Sequence, residues 1–227
     1  MDTKSFQREE PAHARFRDDN ESARYDVGRF KGFLRCSGKL CGEIVVVAGN
    51  FTTEYHDDYD YDTDTPITHK VTSYRPHVMS PAPEIIQYPI RLNDDSKEHL
   101  LRSFVLFWVD SAACANRLRI VTEYLLDQLK IPRKGPKGDD KNARLDLFDR
   151  IELLKAAKPG HEDALNALRS VGNVGSHDGI VDFDDLLTCY EAIEDTMSEL
   201  IDETKAKLAQ RIQDINTRNG KPKGKNA

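Results

Sequence analysis

The chain has 227 residues, of which 38% are hydrophobic and 32% are charged, with a formal net charge of -6 at pH 7. These values predict one large domain, or one domain with appendages, and exclude a chain that is basic throughout, although they allow a local basic patch for nucleic acid. Because the polar N-terminus predicts no secretory signal, no apolar run reaches about 18 residues and only four cysteines are present, we expect a cytoplasmic protein without a membrane span.

The first 90 residues are predicted to form a polar arm and a small β-rich module. Residues 1–28 are charge-dense and indicate a loosely attached arm. In the module, residues 29–90, the β-branched run Glu43–Ala48 is typical of a buried strand, and Thr68–Tyr74 alternates like its return strand. We expect residues 56–64, rich in aspartate and tyrosine, to form the polar tip of this long hairpin.

Two cysteines, Cys36 and Cys41, precede the predicted buried strand and are the candidate metal ligands of the module. A structural zinc site needs four ligands, and no second close pair of cysteines follows. His56, His69 or His77 are the histidines that remain available to complete such a site. We predict a knuckle that keeps its hairpin and holds no metal. The family resemblance given below implies that this knuckle is a degenerate zinc-ribbon-like one.

From residue 91 the apolar spacing becomes helical, and residues 91–205 predict an antiparallel helical bundle. Residues 206–227 predict a basic, flexible tail. We expect five helices in this region. The first starts near Asp94 or Ser96, the second follows a cap at Asp110 or Ser111, the third and fourth span residues 142–157 and 161–171, and the fifth starts at about Asp182. We also expect a loop at residues 134–138 and a bend at Gly172 and Gly175.

The segment that follows the fourth predicted helix combines a guanidinium, an amide and an imidazole, in Arg169, Asn173 and His177. A guanidinium fork binds phosphate and an imidazole transfers protons near neutral pH, which is sufficient equipment for metal-free RNA cleavage. A purely structural role is the other interpretation, because Gly-Asn is a common turn element and a histidine can hydrogen-bond a helix end. Both interpretations stay open at this level.

The second predicted helix carries three further candidates, Arg117, Arg119 and Glu123. The two arginines are candidate RNA contacts. Arg119 and Glu123 are i, i+4 neighbours and can form an ion pair on the helix surface. Alternatively, Glu123 gives structural support by orienting Arg169 across the bundle.

Three stretches of the sequence resemble the domain of unknown function 4145 family, which is similar to the wider HEPN superfamily of helical bundles. They are Pro81–Pro83, Ala112–Arg119 with the downstream Glu123, Leu125 and Leu126, and Leu168–His177. The resemblance covers about residues 81–200 and implies an α+β, mainly α fold, with a HEPN-like bundle after the β-hairpin module. HEPN ribonucleases are metal-independent dimers that place an arginine and a histidine at the dimer cleft, and the seven residues between Arg169 and His177 exceed their usual gap.

The resemblance implies a non-catalytic, homodimeric accessory or interaction module in a defence or nucleic-acid-processing system, with a partner protein of that system. The alternative that it implies is a metal-independent endoribonuclease acting on RNA. In that case Arg169 stabilises phosphate charge, His177 acts as acid or base, and Asn173 positions the substrate. No cofactor is expected, because the sequence has no Walker loop, dinucleotide fingerprint or HExxH helix.

Overall fold

The structure is a computed structural model that describes residues 4–11, 25–38, 41–60, 64–177 and 179–220. The chain divides into two compact units, Met1–Pro83 with Phe104–Val109, and Glu84–Ser103 with Asp110–Ala227. An antiparallel sheet is followed by helices, so the predicted α+β, mainly α class is confirmed. Among the described residues, no helix combines the length and the apolar character needed to cross a bilayer.

The first unit is built on an antiparallel sheet in which the described strands follow the order β1-β2-β3-β4. These strands are β1 (Gln7–Glu9), β2 (Tyr25–Arg35), β3 (Ile44–Asp60) and β4 (Thr65–Ser80). Alternation along the strands sends one set of side chains to a single face, where the buried core consists of Phe30, Val47, Phe51 and Met79. The sheet therefore has one buried and one solvated face, as antiparallel sheets commonly do.

Strands β1 and β2 lie partly where the sequence predicts a polar arm. Two glycines make β2 difficult to predict as a strand from the sequence. The structure requires glycine at both positions, because a Cβ on Gly28 would lie 2.4 Å from the Phe51 ring and a Cβ on Gly32 would lie 2.5 Å from the Phe6 ring. The β3–β4 hairpin is also longer than predicted and pairs as far as Asp60 with Thr65. Its polar residues suit a solvent-exposed ribbon, whereas residues 61–63 of the predicted tip lie outside the described residues.

The cysteines of the module, Cys36 and Cys41, are exposed free thiols in the connection from β2 to β3. The candidate histidines have other neighbours: His56 lies 3.5 Å from Glu54, His69 lies 3.6 Å from Asp58, and His77 contacts Asn50. In the part of the chain that the structure describes, no group of three or more His, Cys, Asp or Glu side chains is arranged to hold a metal ion.

The helices are α1 (Asp94–Val109), α2 (Ser111–Gln128), α3 (Leu147–Ala157), α4 (Glu162–His177), α5 (Phe183–Met197) and α6 (Thr204–Thr217). The predicted starts of α1, α2 and α5 are confirmed. Asp110 caps α2 by accepting a hydrogen bond from the Ala113 amide, and Asp182 caps α5 by accepting from the amides of Asp184 and Asp185. In the second unit, α2 packs against α3, α4 and α5.

Two segments between residues 130 and 220 differ from the sequence prediction. The predicted loop and the first part of the predicted third helix form a hairpin, β5 (Lys134–Lys137) and β6 (Asp140–Arg144). The helix starts later because Asp146 and Asp149 form a reciprocal capping box at its N-terminus. The predicted tail is helical over α6, and residues 221–227 of that tail lie outside the described residues.

The predicted bend at Gly172 and Gly175 is wrong, because α4 continues through both glycines to His177. Both positions face α2 at very short range. A Cβ on Gly172 would lie 2.6 Å from Arg119 Cβ, and a Cβ on Gly175 would lie 2.7 Å from the Ala112 carbonyl oxygen. The glycines therefore serve close helix packing, where the absence of a side chain is required, and not a turn.

Replacing Gly175 with alanine is expected to destabilise the protein. Alanine favours a helix interior by roughly 1 kcal/mol over glycine, but here the added methyl group meets the backbone of α2, which cannot move aside as a flexible side chain would. We expect the free energy of unfolding in urea to fall by about 1–3 kcal/mol, the usual cost of overpacking. Ser170→Ala, at an exposed position of α4, is the control and should change stability by less than about 0.5 kcal/mol. A Gly175→Ala variant as stable as the wild type would contradict this account of the α2–α4 contact.

Candidate functional site

The predicted catalytic residues lie on one helix, α4, at i, i+4 and i+8 spacing. Arg169 and Asn173 are half-buried, and His177 is an exposed residue at the C-terminal end of the helix. Leu165, Leu168 and Gly172 of α4 are buried. At 100° per residue, Arg169 and Asn173 lie at the edge of this buried face and His177 lies further from it, which agrees with their increasing exposure along the helix.

The guanidinium of Arg169 contacts a residue one helical turn earlier on α4 and an aromatic ring of α3. Its Nε donates a hydrogen bond to Asn166 Oδ1 at 3.1 Å, and its carbon Cζ lies 5.3 Å from the centre of the Phe148 ring of α3. A guanidinium over an aromatic face is a favourable cation–π arrangement. These contacts hold the guanidinium of Arg169 between Asn166 of α4 and the Phe148 ring of α3.

His177 lies in the other direction along the same helix. Eight residues advance the helix by about 12 Å, so the backbone of His177 lies more than two turns beyond that of Arg169. The guanidinium of Arg169 contacts Asn166 and the Phe148 ring, and within the described residues it makes no hydrogen bond to His177.

The two candidate RNA-binding arginines of α2, Arg117 and Arg119, have different partners. Arg117 Nη1 lies 2.9 Å from Nδ1 of His99 on α1. Burial is the largest cause that lowers the pKa of His99, and the positive charge of Arg117 is the next. The ring of His99 is therefore neutral at pH 7, and its Nδ1 can accept a hydrogen bond from Arg117. Arg119 instead forms an ion pair with Glu123, with 3.4 Å between Nη2 and Oε1. The i, i+4 pairing of Arg119 with Glu123 predicted from the sequence is therefore confirmed.

Arg119 and Glu123 form part of the wall of a polar cavity of about 250 Å³ in the second unit. The cavity lies among α2, the β5–β6 hairpin and the start of α3. Its lining residues are Arg119, Glu123, Arg133, Arg144, Leu145, Asp146, Leu147 and Arg150. The lining residues thus include four arginines and two acidic residues, and the carboxylate of Asp127, which pairs with Arg133 and Arg150, offsets part of this positive charge.

Arg150 of α3 is the buried member of this set, with a relative exposure of 3%. Its Nη2 donates to Asp127 Oδ1 at 2.7 Å and to the Ile131 carbonyl oxygen at 3.0 Å, and its Nη1 donates to the Glu123 carbonyl oxygen at 3.2 Å. The acceptors belong to the C-terminal end of α2 and the residues after it. A cation is favoured there, because the carbonyl groups at the end of a helix carry partial negative charge.

Asp127 is shared between Arg150 and Arg133. The Nε of Arg133 donates to both carboxylate oxygens, at 2.9 and 3.1 Å, and Arg133 also lies over the ring of Tyr124. Burial raises the pKa of Asp127, but the hydrogen bond of Arg133 and the charges of both arginines outweigh it and hold the pKa below its ordinary value. The carboxylate is therefore fully ionised at neutral pH.

Asp146 at the cavity wall is already engaged by other groups. Its carboxylate lies 2.8 Å from Lys137 Nζ and accepts the amide proton of Asp149 at 3.0 Å. The hydrogen bond from Lys137 and those from the helix amides lower the pKa of Asp146. Its negative charge is thus largely offset by its own partners.

Two arginines that line the cavity each have one guanidinium N–H group that is closed to solvent and lacks an acceptor. Within the described residues, Nε of Arg119 and Nε of Arg150 are buried and have no hydrogen-bond partner. A buried donor left without an acceptor costs about 1–3 kcal/mol. Such donors are rare in folded proteins and call for an explanation.

Sequence reasoning identified Arg119 and Glu123 but missed the other charged residues that line the cavity, Arg133, Arg144, Asp146 and Arg150, and the carboxylate of Asp127 that pairs with two of them. A signal for Arg150 was present, because Leu147, Arg150, Ile151 and Leu154 follow i, i+3, i+4 and i+7 spacing, which places a cation on the apolar face of α3. A charge at such a position indicates a buried, paired group. No local pattern relates Arg119 to Arg133 and Arg144, since the hairpin that joins them was predicted as loop and helix.

The fold and this site define an α+β protein whose helical unit carries an open cavity lined by four arginines. The model of the family described as domain of unknown function (DUF4145) matches residues 102–218. The chain belongs to this family, as its sequence stretches indicated. Neither a curated protein nor a solved structure matches the chain at a significant level.

Replacing Asp127 with asparagine is expected to destabilise the protein at pH 7 by about 2 kcal/mol. The change removes the carboxylate that pairs with the buried Arg150, and Asp127 keeps some solvent contact, so the loss should be smaller than the roughly 3–5 kcal/mol of a fully buried pair. Glu191→Gln, at an exposed position of α5, is the control for loss of one negative charge.

The pH dependence of this difference follows from the lowered pKa of Asp127. A lowered pKa contributes stability that is complete above the unfolded-state pKa of about 4 and is lost as the pH falls through the folded-state value. The difference between wild type and Asp127→Asn, measured by urea unfolding, should therefore be constant from pH 7 to 5 and shrink below pH 4. A difference that does not depend on pH would contradict the role of the ionised carboxylate.

Proposed function

We propose that this DUF4145 protein is a non-catalytic, HEPN-like accessory or interaction module that acts as a homodimer in a defence or nucleic-acid-processing system. The observation that carries the non-catalytic part is the separation of Arg169 from His177 on α4. The dimeric part is supported by an exposed apolar stripe on α6. The setting in defence or nucleic-acid processing, with a partner protein from that system, comes from the HEPN resemblance.

Metal-free RNA cleavage requires a base within hydrogen-bond reach of the reacting hydroxyl and a cation at the phosphate that develops charge. In this chain the guanidinium of Arg169 is turned toward Asn166 and Phe148, and His177 lies more than two helical turns away. The two groups therefore do not converge on one phosphate within a chain. This geometry favours a binding role over catalysis.

Helix α6 supports self-association. It contains no buried residue, and its Leu208, Ile212 and Ile215 are each 49% exposed. Their spacing of four and three residues is that of alternating d and a positions in a coiled coil. A helix with such a stripe and no apolar partner among the described residues is typical of one that packs against a helix of another chain. A second copy of α6 offers the same stripe and a two-fold arrangement.

Purified wild-type protein incubated with total RNA in EDTA is expected to leave the RNA intact, as are Arg169→Ala and His177→Ala. The measurement is the length distribution of the RNA on a denaturing gel over several hours. Cleavage by the wild type that both substitutions abolish would overturn the non-catalytic proposal. It would instead support the metal-independent endoribonuclease, with the arginine and histidine brought together across a dimer.

The α6 stripe makes a separate prediction about oligomeric state. Size-exclusion chromatography with light scattering should give the mass of two chains for the wild type, and Ile212→Glu should shift it to one chain, because a charge in the seam is strongly unfavourable. Gln210→Glu adds the same charge on the outer face of α6 and should leave the dimer intact. A wild-type protein that elutes as one chain, or a dimer that Ile212→Glu does not affect, would remove this part of the proposal.

A further inference from the structure

We propose that the solvent-facing side of the antiparallel sheet in the first unit binds single-stranded RNA. This surface, the outer sheet face, is the side of β2, β3 and β4 on which Phe33, Val46 and Val78 are exposed. The inference does not rest on the proposed function, because the outer sheet face belongs to the first unit and involves neither α4 nor α6.

Strand alternation determines which residues share the outer sheet face. Successive side chains of a strand point to opposite sides, so Phe30 of β2 and Val47 of β3 enter the buried core of the unit. Trp108 of α1 packs against that core on the same side of the sheet. The residues of β2 that alternate with Phe30 lie on the other side and are exposed, and they are Arg29, Lys31, Phe33 and Arg35.

An apolar patch occupies the centre of the outer sheet face. Phe33 pairs in register with Val46, and in the next row Ala48 pairs with Lys31 and with Val78. Phe33, Val46 and Val78 are 56%, 48% and 47% exposed. Neighbouring exposed apolar side chains with a polar rim are typical of an interaction site. The ring of Phe33 offers a flat surface on which a nucleic acid base can stack.

Four cationic side chains surround this apolar patch. Arg29, Lys31 and Arg35 occupy alternate positions of β2, and Arg75 lies on β4. All four are exposed, and none of them forms an ion pair with another described residue. In these cross-strand rows the acidic residue is Glu9, which pairs in register with Arg29. Positive charge therefore exceeds negative charge on the outer sheet face, although the chain has a net charge of -6.

The spacing of the cations favours RNA over an acidic segment of a protein. Residues two apart on a strand are separated by about 6.8 Å, which is close to the distance between successive phosphates in an extended single strand. The cations of β2 thus match a regularly repeated negative charge, and the Phe33 ring lies between Lys31 and Arg35. A single strand is required, because the bases of a duplex are stacked on each other and cannot lie on the ring.

Two polar side chains on the outer sheet face favour RNA over DNA. Asn50 pairs in register with both Arg29 and Arg75, and its Nδ2 lies 3.1 Å from Nε2 of His77. The exposed amide and imidazole have further donor and acceptor atoms. A ribose 2′-hydroxyl donates and accepts hydrogen bonds and is absent from DNA. Asn50 and His77 therefore provide contacts to the sugar between arginines that contact the phosphates.

A groove of about 860 Å³ continues the outer sheet face at the end of β2. Its lining residues include Lys4, Phe33, Arg35 and Ile44, so that two cations and an aromatic ring border one concave surface. The volume lies within the range of roughly 300–1,000 Å³ that is usual for ligand sites. The groove therefore has room for a base that stacks on Phe33 and for its sugar.

Fluorescence anisotropy of the full chain with a fluorescein-labelled RNA of about 12 nucleotides tests the proposal. The competitors are DNA of the same sequence, the corresponding RNA duplex and poly-glutamate. We expect saturable binding of the single-stranded RNA and at least about fivefold weaker binding of each competitor. Absence of RNA binding at about 0.1 mM protein, or equal competition by the DNA or the duplex, would overturn the proposal. Stronger competition by poly-glutamate would also overturn it and would assign the face to an acidic protein.

The variant Lys31→Gln tests whether the cations of β2 contact phosphates. We expect weaker binding, and a plot of log affinity against log salt concentration whose slope is shallower by about 0.7, the value for one phosphate of a single strand. Arg211→Gln removes the same charge from α6, in the basic C-terminal segment, and should leave both quantities unchanged. If Arg211→Gln has the same effect as Lys31→Gln, the RNA binds non-specifically and the proposal fails.

Two substitutions of Phe33 test whether a base stacks on its ring. Phe33→Leu keeps an apolar side chain but removes the ring, and it should weaken RNA binding at least about fivefold. Phe33→Tyr keeps the ring and should bind RNA as the wild type does. Because Phe33 is more than half exposed, both variants should fold, which circular dichroism checks. A Phe33→Leu variant that is folded and binds RNA as tightly as the wild type would overturn the proposal.

Discussion

The burial of one guanidinium, that of Arg150, constrains how the helical unit packs. A charge that is removed from water costs several kcal/mol unless it is fully paired, so α3 can pack only where acceptors await Arg150. Those acceptors are Asp127 and the carbonyl oxygens of Glu123 and Ile131, at the end of α2 and just beyond it. The position of α3, the end of α2 and the start of the β5–β6 hairpin are thereby fixed by one side chain.

The packing of α4 on α2 has a comparable effect on the candidate chemistry. Gly172 and Gly175 allow the two helix backbones to approach closely, and the same contact presses Arg119 against α4. Continuity of α4 through these glycines places Arg169 and His177 at i, i+8 positions instead of on two sides of a bend. The residues that make close packing possible therefore also determine that the guanidinium and the imidazole lie apart in one chain.

Local periodicity was sufficient to predict the fold class, the starts of α1, α2 and α5, and the presence of the β3–β4 hairpin, because these elements have clear apolar spacing and capping residues. It failed where tertiary contacts decide the conformation. Gly28 and Gly32 lie in a strand whose neighbouring aromatic rings leave no room for a side chain. Gly172 and Gly175 lie in a helix that α2 approaches too closely for a side chain to fit. Glycine indicates a turn by its local preference, and only the neighbouring element reveals that the missing side chain is needed for packing.

The candidate site illustrates the same limit for charged residues. The sequence makes Arg169 a candidate catalytic residue because a histidine follows it closely. In the structure its guanidinium instead hydrogen-bonds Asn166 and lies over the Phe148 ring. Arg119 and Arg150 carry buried N–H groups that no described residue accepts, and the cavity they line gathers residues from α2, the β5–β6 hairpin and α3. The partners of an arginine thus depend on acceptors supplied by distant parts of the chain. In a protein with a net charge of -6, the fold, and not the composition, brings these arginines together.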